Sequence, residues 1–366
     1  MQHAEQRSDL LNIFLSNTPL LDVRAPVEFA QGSFPGAVNL PLMNNEERHE
    51  VGIRYKEAGQ QSAIELGHSL VAGEIKDRRI QSWVDFANAH PDGVLYCFRG
   101  GLRSRITQQW LHEAGVDYPR ITGGYKAMRR FLIDATERLS QQTRFVIVGG
   151  MTGSGKTDVI AALTRTIDLE GLAHHRGSSF GGHPDHQPSQ IDFENALAIA
   201  LLRQESHHAQ SLVLEDESQL IGRCAIPDPL LHKMHQSPRV WVVEPLEIRV
   251  QRIERDYIRR LLTEYEERHT PDVAWEKFAT HLTRSLFNLR KRLGMQRYAE
   301  LNTALQAALS QQFKDRQSDA HASWIRPLIT DYYDPMYAYQ RTQRAVPTLF
   351  EGSCQEVTAY LQSQGY

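Results

Sequence analysis

Three cysteines in 366 residues, with no CxxC pair among them, are too few and too scattered for a disulfide framework or a zinc ribbon. That scarcity points to a reducing compartment. No run approaches the roughly eighteen consecutive apolar residues of a membrane span, and the N-terminal MQHAEQRSDLLNIFL contains no long apolar segment of the secretory kind. The expectation is a soluble, cytoplasmic chain with no membrane partner. Net charge is only −3, so no global field marks a polyanionic ligand. No internal repeat is visible. The composition is 41% hydrophobic and 23% charged over a length comfortable for two domains, as in a packed globular protein.

Strands alternate with helical patterns, which predicts α/β architecture with parallel sheets. A first unit opens on Pro19-Leu20-Leu21-Asp22-Val23-Arg24, passes through the turn-rich Gly32 to Pro41 stretch, and closes after Ile121-Thr122-Gly123-Gly124-Tyr125 with an amphipathic helix near Lys126 to Leu139. The polar Ser140-Gln141-Gln142-Thr143 reads as a linker, which divides the chain into residues 1–139 and 140–366. The second unit starts with the strand Arg144 to Val148. Further strands are predicted at Leu212 to Leu214 and Val240 to Val243, and a helical stripe at Val250, Ile253, Tyr257 and Leu261.

Two motifs carry chemistry. In Val94-Leu95-Tyr96-Cys97-Phe98-Arg99-Gly100-Gly101-Leu102-Arg103-Ser104, an apolar strand runs into a glycine turn and a helix predicted over Arg103 to Leu111. Backbone N–H groups and a helix N-terminus then converge on Cys97, a setting that favours thiolate over thiol, with Arg99 and Arg103 placed to hold an oxyanion. A buried structural cysteine would need none of these neighbours.

The second motif, Gly150-Met151-Thr152-Gly153-Ser154-Gly155-Lys156-Thr157, fits the P-loop pattern GxxxxGK[ST] between a predicted strand and a helix over Asp158 to Thr166. Its backbone would cradle phosphates, Lys156 would reach the outer phosphate, and Thr157 would ligate magnesium if that ion is bound. The strand Leu212 to Leu214 ends in Glu215 and Asp216, either of which could hold magnesium through water or act as a base. Arg176, in the Gly/Ser loop after the P-loop helix, is a candidate for phosphate or ribose. The loop histidines His174, His175, His183 and His186 lack the fixed geometry of a zinc site, so no tightly bound metal is expected. Between Phe278 and Ala299 lie Arg284, Arg290, Lys291, Arg292 and Arg297 with no acid, a local field suited to nucleic-acid phosphates.

The first unit resembles the rhodanese family in the order of Leu21-Asp22-Val23-Arg24, Glu28-Phe29, Gly32, Pro35-Gly36-Ala37, Asn39-Leu40-Pro41, the Cys97 loop and Gly123-Gly124-Tyr125. Its five residues between Cys97 and Arg103 exceed the usual sulfurtransferase loop and match a phosphatase branch of that fold, a roomier loop that suits a tetrahedral oxyanion. With the P-loop, His175-Arg176-Gly177-Ser178-Ser179-Phe180-Gly181, Leu214 to Ser218 and Asp331 to Tyr337, nearly the whole chain resembles the bacterial tRNA 2-selenouridine synthase family.

That resemblance implies a rhodanese-like domain joined to a P-loop domain with helical additions and basic tRNA-binding segments. It implies a transferase that replaces the sulfur of wobble 2-thiouridine in tRNA by selenium, with selenophosphate and geranyl diphosphate as co-substrates. A selenophosphate-producing enzyme would be the upstream supplier. Geranylation turns a poor leaving group into a departing thiol. On this expectation Gly150, Gly153, Ser154, Gly155, Lys156 and Thr157 bind the diphosphate, and Cys97 carries selenium as a Cys-S-Se species. Three alternatives stand beside it: an ATP-dependent tRNA thiolase using a Cys97 persulfide, a phosphatase fused to a kinase, and a nucleotide-regulated binding protein. Tyr96 stands where the phosphatases carry histidine, which weakens the second.

Overall fold

The computed structural model describes residues 6–343 and 346–366. It divides into two compact units, one of residues up to Arg138 together with Ser189–Arg203, the other of Leu139–Pro188 and Gln204–Tyr366. Among the described residues, no helix is long and apolar enough to cross a membrane.

The first unit is built on a five-stranded parallel sheet, ordered edge to edge Gln6–Arg7, Arg120–Ile121, Val94–Tyr96, Leu20–Asp22 and Ala37–Asn39. Its middle strand, Val94–Tyr96, is fully buried, as the unbroken apolar run requires. Leu21, Leu95, Trp83, Trp110 and Leu111 form the core, with the Trp83 and Trp110 rings 6.2 Å apart. Two helices, Asn45–Leu70 and Gly73–Ala89, lie between the Ala37–Asn39 and Val94–Tyr96 strands. The first breaks at Gly59, where φ is +80°.

The second unit repeats the plan with strands ordered Thr348–Gly352, Arg239–Val242, Arg144–Gly150, Ser211–Glu215 and Thr166–Ile167, all parallel. Val146, Val148, Val213, Val240 and Val242 fill its core. A separate helical core joins Phe278, Leu282, Leu286 and Leu289, one face of the helix Pro271–Leu293, to Leu305 and Leu309 of Met295–Asp315. Two π-helical turns, Arg255–Arg259 and Ile329–Tyr333, interrupt the helices of this unit. Such turns are rare and recur at functional sites.

Three local expectations give way. Ser140 to Gln142 continue the helix Gly124–Gln142, and the strand Arg144–Gly150 follows after one residue; Ser140 is fully buried, so polarity there marks an internal partner rather than a linker. The helix after the P-loop is Lys156–Ala161, because Thr166–Ile167 is claimed as a strand by Val213 and Leu214. Ser189–Arg203, most of the helix Gln190–Ser206, belongs with the first unit. Asp192 accepts from the Ser33 N–H at 2.6 Å, Asn195 donates to the Ser33 carbonyl at 2.6 Å, and Arg129 donates to Asn195 at 2.9 Å.

The Cys97 loop is held by the Arg120 guanidinium, which donates to the Gly100 carbonyl at 3.0 Å, and by close backbone contact. Gly124, at φ +57°, stands where a Cβ would lie 2.2 Å from the Cys97 carbonyl oxygen and 2.4 Å from the Gly100 nitrogen. Gly124→Ala should therefore cost about 1–3 kcal/mol through overpacking. Urea unfolding followed by tryptophan fluorescence measures this; an unchanged midpoint would remove the steric argument.

Candidate active sites

Each sheet's middle strand ends in a loop of unpaired N–H groups, at the carboxyl edge where open α/β sheets bind ligands. In the first unit the strand delivers Cys97, 3% exposed, whose thiol donates to the Ser104 hydroxyl at 3.2 Å; that hydroxyl donates to the Gly101 carbonyl at 3.1 Å. Among the described residues, the N–H groups of Phe98, Arg99, Gly100 and Gly101 find no acceptor in the protein. Four consecutive donors ahead of the helix Leu102–Glu113 make a nest for an anion.

The cavity over this loop has a volume of about 1010 Å³. Six cations line it, Arg24, Arg48, Lys56, Arg99, Arg103 and Arg129, against one carboxylate, Glu28. Arg99 is exposed at the mouth. Arg103, expected from the sequence to hold an oxyanion, is taken by Glu28 in a fork with distances of 2.5 and 3.1 Å. Burial works to raise the Glu28 carboxyl, but Arg103 outweighs it and holds the group below the usual carboxylate range. Arg24 reaches the cavity from a buried pair with Asp22 at 2.6 Å, its guanidinium 3.8 Å from the Tyr125 ring centre. In the sequence Arg24 stands out only as part of a family pattern.

In the second unit Gly153 and Gly155 take φ of +77° and +93°, and the N–H groups of Gly153, Gly155, Lys156 and Thr157 have no acceptor among the described residues. This is the P-loop cradle. Three arginines brace it from the helix Leu246–Glu254 and the turn after it. Arg249 donates to the Thr152 carbonyl at 2.9 Å, Arg252 to the Ser154 carbonyl at 2.8 Å, and Arg255 pairs with Asp158 at 3.2 Å. From sequence the stretch reads as a solvated face. Only the fold turns it toward the loop.

Lys156 is half-buried and lines the cleft. Burial disfavours its charge, yet Tyr337, Glu217, Glu170 and Glu215 prevail and hold it well above the ordinary lysine range. The acids show the converse. Burial raises Glu215 and Glu170, and burial with Glu170 alongside pushes Glu217 up to about 8. Both Glu215 carboxylate oxygens are buried without a hydrogen-bond partner. Glu170 and Glu217 line the cleft with Arg176; Asp216, a sequence candidate, does not, and its N–H joins the sheet at the Val148 carbonyl, 2.9 Å away. Thr157 donates to Glu170 at 3.1 Å. Arg176 is held by Glu264 at 2.5 Å, which leaves its Nη1 buried at the cleft without a hydrogen-bond partner.

Glu217 lies within the strand-end segment Leu214 to Ser218, so its neighbourhood was legible; Glu170 carried no local signal. Of the loop histidines, His174 and His183 stack with rings 4.3 Å apart, His183 lies 2.8 Å from Glu264, and His186 is exposed. In the basic segment Arg284, Lys291 and Arg292 are exposed, while Arg290 packs 3.7 Å over Phe287 and Arg297 pairs with Asp331 at 3.2 Å.

Comparison with known proteins finds two family models along the chain. Residues 143–365 match the family model described as the tRNA 2-selenouridine synthase AAA domain, and residues 6–130 match the rhodanese-like domain. The chain is 55% identical over 359 residues to the tRNA 2-selenouridine synthase of Hahella chejuensis, covering 97% of this chain and 94% of that protein. Identity to the synthases so named from Azotobacter vinelandii and Cupriavidus pinatubonensis is 53% and 52%, covering 97% and 98% of this chain and 96% and 99% of theirs.

The position of Glu217 sets a pH dependence. An unfolded chain ionises this group near 4.5, whereas the folded chain keeps its proton to about 8. Between those values the folded state binds the extra proton, so stability is fullest below the lower value and falls as pH rises through the window. Glu217→Gln should flatten that fall, read as urea midpoints at about pH 5 and about pH 8. An equally steep fall in the variant would exclude Glu217 as its source.

Proposed function

This chain belongs to the tRNA 2-selenouridine synthase family, and from that premise we propose that it S-geranylates a wobble 2-thiouridine of tRNA and then exchanges the sulfur for selenium from selenophosphate via Cys97. One observation carries the division of labour. Both units present an anion cradle at the end of the middle strand; in the first the strand itself delivers the Cys97 thiol, and in the second the loop itself delivers Lys156.

In the first step the thiocarbonyl sulfur attacks C1 of geranyl diphosphate. The S–C bond forms, the C–O bond breaks, its electron pair leaves with diphosphate, and N3 of the base gives up its proton to solvent, which leaves the alkylated base neutral. The P-loop N–H groups, Lys156 and the Nη1 of Arg176 would bind that developing charge, which needs no nucleotide hydrolysis. Thr157, Glu170 and Glu217 are hard oxygen donors that fit a magnesium ion, which when bound would neutralise charge on the leaving group.

In the second step C2 of the base gains selenium and loses sulfur, which leaves as geranyl thiol after taking a proton. Water supplies the oxygen that turns the donor phosphorus into phosphate. This exchange is redox-neutral and selenium stays at the selenide level throughout, so Cys97 serves it without being oxidised to a Cys-S-Se species. Its thiolate displaces geranyl thiol from C2, and is itself displaced when selenium arrives from the donor as water takes its place on phosphorus. The cationic cavity suits a selenophosphate dianion.

Nucleoside mass spectrometry after incubation with 2-thiouridine tRNA, geranyl diphosphate and selenophosphate tests the reading. Cys97→Ala should block selenation and leave geranylation intact, and Lys156→Ala should lower geranylation by about a hundredfold or more, the order forfeited with an oxyanion donor. Equal loss of both steps in Cys97→Ala would refute the division, and ATP-dependent sulfur insertion would favour a thiolase. For the tRNA interaction, replacing Arg284, Lys291 and Arg292 together by glutamine should weaken binding and reduce the salt dependence by about 0.7–0.9 for each RNA phosphate no longer neutralised. An unchanged salt slope would place the RNA elsewhere.

A further inference from the structure

A second cavity, of about 240 Å³, adjoins the one over Cys97. Met43, Val51, Tyr55, Leu102 and Arg103 line both, so the two meet beside the Cys97 loop. Beyond that shared wall the chemistry changes. The second cavity is closed by Ala63, Ile64, Val71, Ile106 and Trp110, with Gln60 and His68 as its polar members besides Arg103. Arg103 is already neutralised by Glu28. The break at Gly59 gives the helix Asn45–Leu70 two segments, and both contribute: Val51 and Tyr55 before it, Ala63 and Ile64 after it. At the junction Tyr55 and Leu102 remain 58% and 43% exposed, large apolar surface left in water next to a reactive thiol.

Neither the anion cradle nor the core accounts for such a cleft. We propose that it receives the geranyl chain of the S-geranylated base while the base lies over Cys97. This assignment rests on the function proposed above, and it supplies what that reading lacks, a place for the alkyl group in the second step. Once diphosphate has left, the ten-carbon chain travels with the base and must be accommodated wherever selenium is delivered. Since a dry cavity of about 150 Å³ holds the six carbons of benzene, one of about 240 Å³ takes about ten carbons. The cleft also makes the second step selective. An alkylated base gains apolar burial that an unmodified 2-thiouridine does not, so the Cys97 site would favour the base whose sulfur is ready to leave.

The test uses the full chain and anticodon stem-loop RNAs carrying S-methyl- or S-geranyl-2-thiouridine. The wild-type chain should bind the S-geranyl RNA about tenfold or more tightly than the S-methyl RNA, and Ala63→Phe, which fills the cleft, should remove that preference while S-methyl binding stays unchanged. Absence of a preference in the wild type, or its full retention in Ala63→Phe, would overturn the assignment. A photoreactive geranyl analogue on the same RNA gives a readout independent of the variant's folding. Crosslinks within Asn45–Leu70 or Leu102–Glu113 support the cleft, and crosslinks confined to the second unit refute it. Conversion of the S-geranyl RNA to 2-selenouridine, measured separately with selenophosphate, tells the two ideas apart. Preferential binding without conversion would sink the proposed function and leave the cleft standing, whereas conversion with no effect of Ala63→Phe and no crosslink in the first unit would sink the cleft alone.

Discussion

The ion pair between Asp22 and Arg24 is the fixed point of the first unit. Both residues are essentially inaccessible to water, and removing such charges from water costs several kcal/mol per ion unless hydrogen bonds replace the hydration. Here they do. The Arg24 guanidinium meets both Asp22 oxygens, donates to the Gly32 carbonyl at 2.8 Å and stacks on Tyr125, while Asn39 donates to the Asp22 and Arg24 carbonyls at 2.9 Å each. One buried pair thus ties together a strand end, the turn after the helix Pro26–Gln31, the next strand and the glycine segment that locks the Cys97 loop. Arg24 also lines the Cys97 cavity, so the pair that organises the frame forms part of the cavity wall.

The second cradle solves the opposite electrostatic problem. The first has six cations facing one carboxylate, whereas Lys156 stands among three glutamates, Glu215 and Glu217 buried and Glu170 half-buried. Their carboxyls are raised by burial, so the cleft holds protons that an arriving anion or cation can redistribute. On the proposed function, a site that binds diphosphate and then releases it would gain from such compensation, since an uncompensated cluster of cations would retain the product. The arginines reinforce the loop from behind through its carbonyls at Thr152 and Ser154, which leaves the N–H side of the backbone for the ligand.

Both cradles were legible in the sequence because each is a local backbone device. A strand, a glycine turn and a helix start occupy about a dozen consecutive residues, and their glycines and key side chains are fixed by that geometry. What the sequence left dark depends on distant partners. Arg252 reads as surface until the loop at Ser154 is folded against it, and Glu170 acquires meaning only with Glu217 across the cleft. The helix Gln190–Ser206 buries Phe193, Leu197, Ala198, Ile199, Leu201 and Leu202 around its circumference, so it carries no amphipathic signal to say which unit it serves. Ser140 misled for a related reason, since a buried hydroxyl in a helix looks, in sequence, like one in a linker.

The chemistry explains why a cationic cavity alone would be a poor site for selenium exchange. On the proposed function its field would attract a selenophosphate dianion, but it would attract any RNA phosphate too and could not tell a thiocarbonyl from its alkylated form, because both bases are neutral at C2. Discrimination needs an interaction that only the alkylated base can make. Alkylation adds apolar surface and no charge, so the hydrophobic effect is the available means of recognising it. On that proposal, an apolar cleft that shares a wall with the anion cradle would let one site read both reactants, the donor by its charge and the activated base by its chain.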